Sequence, residues 1–189
     1  MGGANRSAEV GQRRSAPAAL PSSSGCEATI GSGLIRIDRA TEHDAAECAR
    51  LHALCFPEAW SLATFKSLLQ QPRTLGLLAN DPQQKGARGF ILVRIAADES
   101  EVLTIGVVPE ERKRGVGTEL MTEAAKMAAS QGAVCLFLEV GRQNIAARRL
   151  YGKLGFEQVG TRGHYYRRGG APAEDACVLK ASLPLAQLA

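Results

Sequence analysis

Between Ile105 and Thr118 the chain reads Ile-Gly-Val-Val-Pro-Glu-Glu-Arg-Lys-Arg-Gly-Val-Gly-Thr, and this stretch constrains the fold more than any other. An apolar strand runs into a proline that cannot continue a ladder, and a basic turn with two glycines then opens a helix. The exposed N–H groups of such a helix start, with the helix dipole behind them, form an anion site. Gly115 and Gly117 carry no side chain, so a phosphate can come close to the backbone, and Lys113 and Arg114 add positive charge. The turn is neither a Walker loop nor a G-x-G-x-x-G dinucleotide loop. It predicts a phosphate-bearing ligand held at a strand–turn–helix junction, although a surface turn with a basic cap would read the same way.

The flanking pattern predicts the architecture. Leu34–Ile37 alternates like a strand, Thr41–Asp44 reads as a capping box, and the helix that follows turns Cys48, Leu51 and Cys55 inward. Ser61 can cap a short second helix with Leu62, Phe65 and Leu69 inward. Strand-like runs follow at 74–79, 89–96 and 101–107, the first two joined as a hairpin. A helix reaches about Gln131 with Leu120, Ala124, Met127 and Ala128 on one face. Residues 133–139 are continuously apolar, as in a strand buried on both faces. Residues 144–154 read as a helix, and strands near 156–161 and 177–183 close the chain. Locally paired strands followed by strand–helix alternation predict an α/β (α+β) fold, a mixed sheet with helices on both faces.

Composition bounds the rest. At 189 residues, 45% hydrophobic and 22% charged, the chain suits one globular domain and excludes a wholly disordered or collagen-like one. No apolar run is long enough for a membrane helix. A net charge of +4 is too small to indicate nucleic acid, and neither direct nucleic-acid binding nor membrane attachment is expected. Five scattered cysteines without a C-x-x-C pair read as reduced thiols of a cytoplasmic protein. Cys48, His52 and Cys55 have a metal-compatible spacing but no fourth ligand nearby, so no metal is expected. Residues 1–33, rich in Ser, Gly, Ala and Pro, read as a disordered extension, with a faint transit-peptide character. Arg6 stands where an N-myristoylation signal needs Ser or Thr. Residues 34–184 form the expected domain and 185–189 a short tail.

Three more features sit downstream of the elbow. Glu139 ends the apolar strand, where open α/β sheets place ligand crevices. Asn144 opens the next helix, as its cap or as a ligand contact. Tyr151 lies one turn before the Gly155 stop. Taken together, Arg112-x-x-Gly115-x-Gly117, Leu138-Glu139-Val140, Asn144 and Leu150-Tyr151-x-x-Leu154-Gly155-Phe156 resemble, in order and spacing, the acetyl-CoA motifs of the GNAT N-acetyltransferases. Phe56-Pro57, Trp60-Ser61, Tyr165-Tyr166 and Glu174-Asp175-Ala176 resemble the RimI-type alanine N-acetyltransferases within that family. Gly141, Gln143 and His164 depart from the RimI pattern on the acceptor side.

The resemblance implies a GNAT fold, a mostly antiparallel mixed sheet with an acetyl-CoA cleft between its two central strands. It also implies that Ile105, Gly106 and Val107 lend backbone groups to the pantetheine arm. Arg112, Lys113, Arg114, Gly115, Val116, Gly117 and Thr118 would cradle the pyrophosphate, and Asn144 would touch the cofactor. The implied reaction is direct transfer of acetyl to a protein or peptide N-terminal amine, a ribosomal protein's alanine first among acceptors. Glu139 is then the candidate base and Tyr151 the candidate acid, because a neutral amine must attack and a thiolate must leave. Trp60, Tyr165 and Tyr166 would wall the acceptor slot, unless they only pack, and His164 is a further candidate base. Arg162, Arg167 and Arg168 read as a solvated basic face that could steer an acidic acceptor. Acetylation of a small-molecule amine or lysine, which would want an acidic pocket where only scattered acids such as Glu99 and Glu101 are visible, and a non-catalytic CoA-binding module are the alternatives.

Overall fold

A computed structural model describes residues 26–30, 33–83, 86–166 and 174–185. The described strands form one eight-stranded sheet in the order β1-β2-β3-β4-β5-β6-β8-β7. They are β1 (Cys26–Ile30), β2 (Gly33–Ala40), β3 (Thr74–Asn80), β4 (Ala87–Ala96), β5 (Glu99–Val107), β6 (Cys135–Gly141), β7 (Glu157–Tyr166) and β8 (Glu174–Ser182). Four helices cover the sheet: α1 (Ala45–Cys55), α2 (Leu62–Leu69), α3 (Val116–Ser130) and α4 (Ile145–Lys153). Every strand pair is antiparallel except β5 with β6, which needs the α3 crossover to bring its strands side by side.

Alternation along the central strands assigns the helices to faces. Ile91, Val93, Leu136, Leu138 and Val140 pack with α3 and α4, in a cluster that includes Leu120, Met121, Tyr151 and Leu154. Phe90 and Leu92 point the other way, into a cluster with Cys48 and Leu51 of α1 and Phe65 of α2. Phe90 through Val93 are therefore buried on both faces, which explains their unbroken apolar run.

Local signals set the helix starts. Thr41 and Asp44 form the expected capping box, around a short 3₁₀ turn ahead of α1. Ser61 Oγ accepts the Thr64 N–H at 3.1 Å and caps α2. Asn144 Oδ1 accepts the Ala147 N–H at 3.2 Å and caps α4.

The structure differs from the sequence reading in three places. Regular structure starts before Leu34: Cys26–Ile30 pairs with Gly33–Ile37, so β1 lies inside the stretch read as a disordered extension. Leu62 is 52% exposed rather than inward, because in a two-turn helix Phe65 alone reaches the core fully. Finally, β6 is buried on only one face. Leu136, Leu138 and Val140 belong to the cluster with α3 and α4, whereas Phe137 and Glu139 are half-buried and no β6 residue belongs to the cluster under α1 and α2.

Candidate active site

The site begins where β5 and β6 part. They pair over only three positions, Glu99 with Cys135, Ser100 with Leu136 and Glu101 with Phe137. Beyond these, β5 stays paired with β4 up to Val107, and β6 stays paired with β8 up to Gly141. The register between β4 and β5 slips from Leu92–Thr104 to Val93–Val102, which leaves Leu103 as the extra residue of a β-bulge. A bulge bends its strand, and this one lies two residues past the last β5–β6 pair. The result is a slot through the sheet, edged by unpaired backbone of both strands.

The basic elbow sits beyond the open end of β5. Lys113 (φ 64) and Gly115 (φ 93) both adopt the left-handed conformation, curling the backbone ahead of α3. A lysine in that region is uncommon and carries a backbone cost. Arg112 Nε donates to the Val107 carbonyl at 3.1 Å, so this arginine braces the elbow against the strand. Arg114 pairs with Glu111 at 3.2 Å on the surface. Among the described residues, the amides of Lys113 through Gly117 donate to no backbone carbonyl, which leaves them for an anion. A Cβ built at Gly117 would lie 3.4 Å from Leu150 Cδ2 and 3.7 Å from Val107 Cγ2. The elbow, the end of β5 and the α4 turn that carries Tyr151 therefore converge.

Glu139 and Tyr151 stand on opposite faces of the sheet. Tyr151 is 6% exposed, belongs to the α3–α4 core and packs against Phe156 at 5.8 Å between ring centroids. Glu139, alternating with Leu138 and Val140, faces the α1–α2 side and accepts a charged hydrogen bond from Arg162 at 2.9 Å. It borders a cavity of about 330 Å³ together with Arg94, Glu99, Glu101, Phe137 and Val178. Arg94 pairs with Glu101 at 2.6 Å in this cavity. The acids Glu99 and Glu101 are thus brought to Glu139 by the parallel pairing, and Arg162 is tied to the candidate base.

Trp60 is half-buried in an aromatic cluster at the α1–α2 junction, stacked on His52 with 5.1 Å between centroids. His52 itself is 3% exposed, and burial pushes its pKa below the ordinary value of 6.5. The sequence marked it only through its metal-compatible spacing with Cys48 and Cys55, and its burial beside the apolar stripe of α1 was not expected. Burial pushes the Cys48 thiol up to about 12. Among the described residues no group of three His, Cys, Asp or Glu side chains could hold a metal. Among them, too, no helix is long and apolar enough to cross a membrane. The side chains of His164, Tyr165 and Tyr166 lie outside the described residues, as do Arg167 and Arg168.

A mixed sheet split between the only parallel pair among its described strands, with a glycine elbow at the split, defines an acetyltransferase of the GNAT class. Residues 45–156 match the Acetyltransferase (GNAT) family, and the chain belongs to it. It is 37% identical over 143 residues to the N-alpha-acetyltransferase RimI of Mycobacterium tuberculosis, covering 74% of this chain and 89% of that one. It is 32% identical over 151 residues to the ribosomal protein bS18-alanine N-acetyltransferase of Salmonella typhimurium, covering 80% and 97%. The crystal structure of the ribosomal-protein-S18-alanine N-acetyltransferase from Escherichia coli superposes with a TM-score of 0.73 at 25% identity, over 81% of this chain and 96% of that one.

Proposed function

We propose that the chain transfers acetyl from acetyl-CoA to a protein N-terminal α-amine, with a ribosomal-protein N-terminal alanine as the leading acceptor. The observation that carries this reading is the slot between β5 and β6, with Glu139 on one face and Tyr151 on the other. Backbone groups of Ile105, Gly106 and Val107 bind the pantetheine amides as an added strand binds a sheet edge. Lys113–Thr118 bind the pyrophosphate, with Arg112 as the brace, and Asn144, the cap of α4, contacts the cofactor. The acceptor approaches from the α1–α2 face, past Glu139 and towards Trp60.

The amine nitrogen attacks the thioester carbon, and its proton passes to Glu139 directly or through water. The C–S bond then breaks, and the departing sulfur takes a proton from the Tyr151 hydroxyl. An α-amine, with an ordinary pKa of about 7.7–8.0, is already partly neutral at cellular pH, so a carboxylate is base enough. Lysine, at about 10.4, would ask more of it. The chain's similarity to an N-alpha-acetyltransferase and to a bS18-alanine N-acetyltransferase supports the same acceptor class.

Glu99 and Glu101 beside Glu139 favour a second reading, a lysine or small polyamine acceptor drawn to an acidic pocket. Two of the three carboxylates already hold arginines, which weakens that attraction. A thiol-release assay with acetyl-CoA separates the readings. Peptides that differ in their first residue should be acetylated with preference for Ala, and a polyamine preference would overturn the proposal. Glu139→Gln and Tyr151→Phe should each lower kcat by roughly tenfold or more while acetyl-CoA still binds. Full activity in either variant removes that residue from the mechanism.

A further inference from the structure

The segment between α1 and α2, Phe56 to Trp60, is fastened at both ends to one residue. The Phe56 N–H donates to the His52 carbonyl at 2.9 Å, and the Trp60 N–H donates to His52 Nδ1 at 3.2 Å. The ring lies in an aromatic box, stacked on Phe56 at 4.3 Å and on Trp60 at 5.1 Å, with the rings of Phe65 and Phe90 at 5.6 and 6.0 Å. A phenylalanine would fill that space, but it could not accept the Trp60 amide as the bare Nδ1 of the imidazole does.

The segment borders the proposed acceptor path. A Cβ at Gly106 would come within 3.0 Å of Cys55 Sγ, so the end of α1 rests on the part of β5 that edges the slot. The residues after Cys55 therefore stand at the slot mouth, on the face that Glu139 shares. We propose that neutral His52 is a positioning residue that locks the 56–60 segment in its acceptor-binding shape, and that a proton on Nδ1 unlocks it. The proposal rests on the reading that the acceptor enters from this face.

Protonation would set an N–H against an N–H and place a charge in the box, so the Trp60 amide must leave. The charged or titratable side chains on the elements around the ring are Glu47, Cys48, Arg50 and Cys55 on α1, Lys66 on α2, Arg88 and Arg94 on β4 and Glu58 in the segment. None of them enters the balance that lowers the His52 pKa, which is burial alone. The transition therefore falls below the ordinary histidine range.

Trp60 is the only tryptophan, so the emission of the unliganded full chain reports the segment without any need for activity. Emission should change in one step on acidification, with its midpoint below 6.5. His52→Phe should abolish the step and raise KM for an acceptor peptide roughly threefold to tenfold, the loss of one hydrogen bond, while KM for acetyl-CoA holds. His52→Gln offers a carbonyl acceptor that does not titrate. It should restore KM towards the parent value with flat emission, and it carries the test if His52→Phe fails to fold. A parent emission that stays flat on acidification down to the unfolding transition, a step that survives in either variant, or an unchanged acceptor KM in His52→Phe would overturn the proposal. If no amine is acetylated at all, the acceptor reading fails, while the emission arms still decide whether His52 is the lock.

Discussion

The same substitution, glycine to alanine, should have opposite consequences at two glycines of the slot. At Gly106 a Cβ would meet Phe90 Cε1 at 2.7 Å, Cys55 Sγ at 3.0 Å and Cys55 Cβ at 3.2 Å. Phe90 is fully buried, so its ring has nowhere to retreat. Overpacking of this kind costs about 1–3 kcal/mol. For a chain of this size each kcal/mol moves Tm by about 2–4 °C, so Gly106→Ala should melt roughly 2–12 °C earlier. Adding Cys55→Ala, which removes the sulfur, should recover part of that loss. At Gly117 the nearest atoms would be Leu150 Cδ2 at 3.4 Å and Val107 Cγ2 at 3.7 Å, ordinary contacts, on a backbone that is already helical. Gly117→Ala should therefore keep its Tm, yet lose acetyl-CoA affinity because the new methyl group stands where a phosphate approaches the amides. Losing a charge-assisted hydrogen bond of about 1.5–3 kcal/mol weakens binding roughly 10- to 100-fold. Differential scanning fluorimetry and titration calorimetry read the two effects separately. Undiminished acetyl-CoA binding by Gly117→Ala, or equal melting losses at both positions, would refute the reasoning.

Arg162→Ala should reduce kcat/KM by no more than about fivefold, because its side chain is 59% exposed and a pair open to solvent on one side is worth about 1 kcal/mol at most. Arg162→Lys should recover most of that loss, and raising the salt should shrink the difference between variants. His52 should also make folding stability depend on pH. Its folded pKa lies below the unfolded value of 6.5, so between the two the unfolded chain binds more protons and stability falls with falling pH. Urea midpoints at about pH 7.5 and 5.5 should differ less in His52→Phe than in the parent.

What the sequence made legible was what the backbone decides locally. The Thr41–Asp44 box, the Ser61 and Asn144 caps and the Pro109-to-Gly117 elbow depend on neighbours a few residues away, and each stands where the sequence put it. What stayed hidden depends on register between distant strands. Glu101 meets the Glu139 neighbourhood because β5 pairs with β6 at Glu101–Phe137, and no spacing along the chain expresses that. Arg162 looked like one member of a solvated basic run, because its link to Glu139 crosses from β7 to β6 over the intervening β8. β1 was missed for a related reason. Five residues with no long apolar run become a strand only once the edge of β2 is there to pair with them. The reading of β6 as doubly buried failed because an apolar sequence cannot say where the opposite helical layer stops.

The placement of the proposed acid, Tyr151, and the proposed base, Glu139, follows from the sheet itself. In a direct transfer the entering amine and the departing thiolate occupy different sides of the acyl carbon, so the group that takes a proton and the group that gives one are best separated. In an unbroken sheet, side chains on opposite faces are kept apart by the ladder of backbone hydrogen bonds between them. Here the Leu103 bulge turns β5 away just past Glu101, and the ladder to β6 ends. An acyl group lying in that opening can be reached by Glu139 from the open face of β6 and by Tyr151 from beneath α4. Restoring regular pairing, by deleting the one extra residue of β5, would leave both side chains in place and close the space between them. The chain should then fold, retain its elbow and release no thiol from acetyl-CoA with any amine.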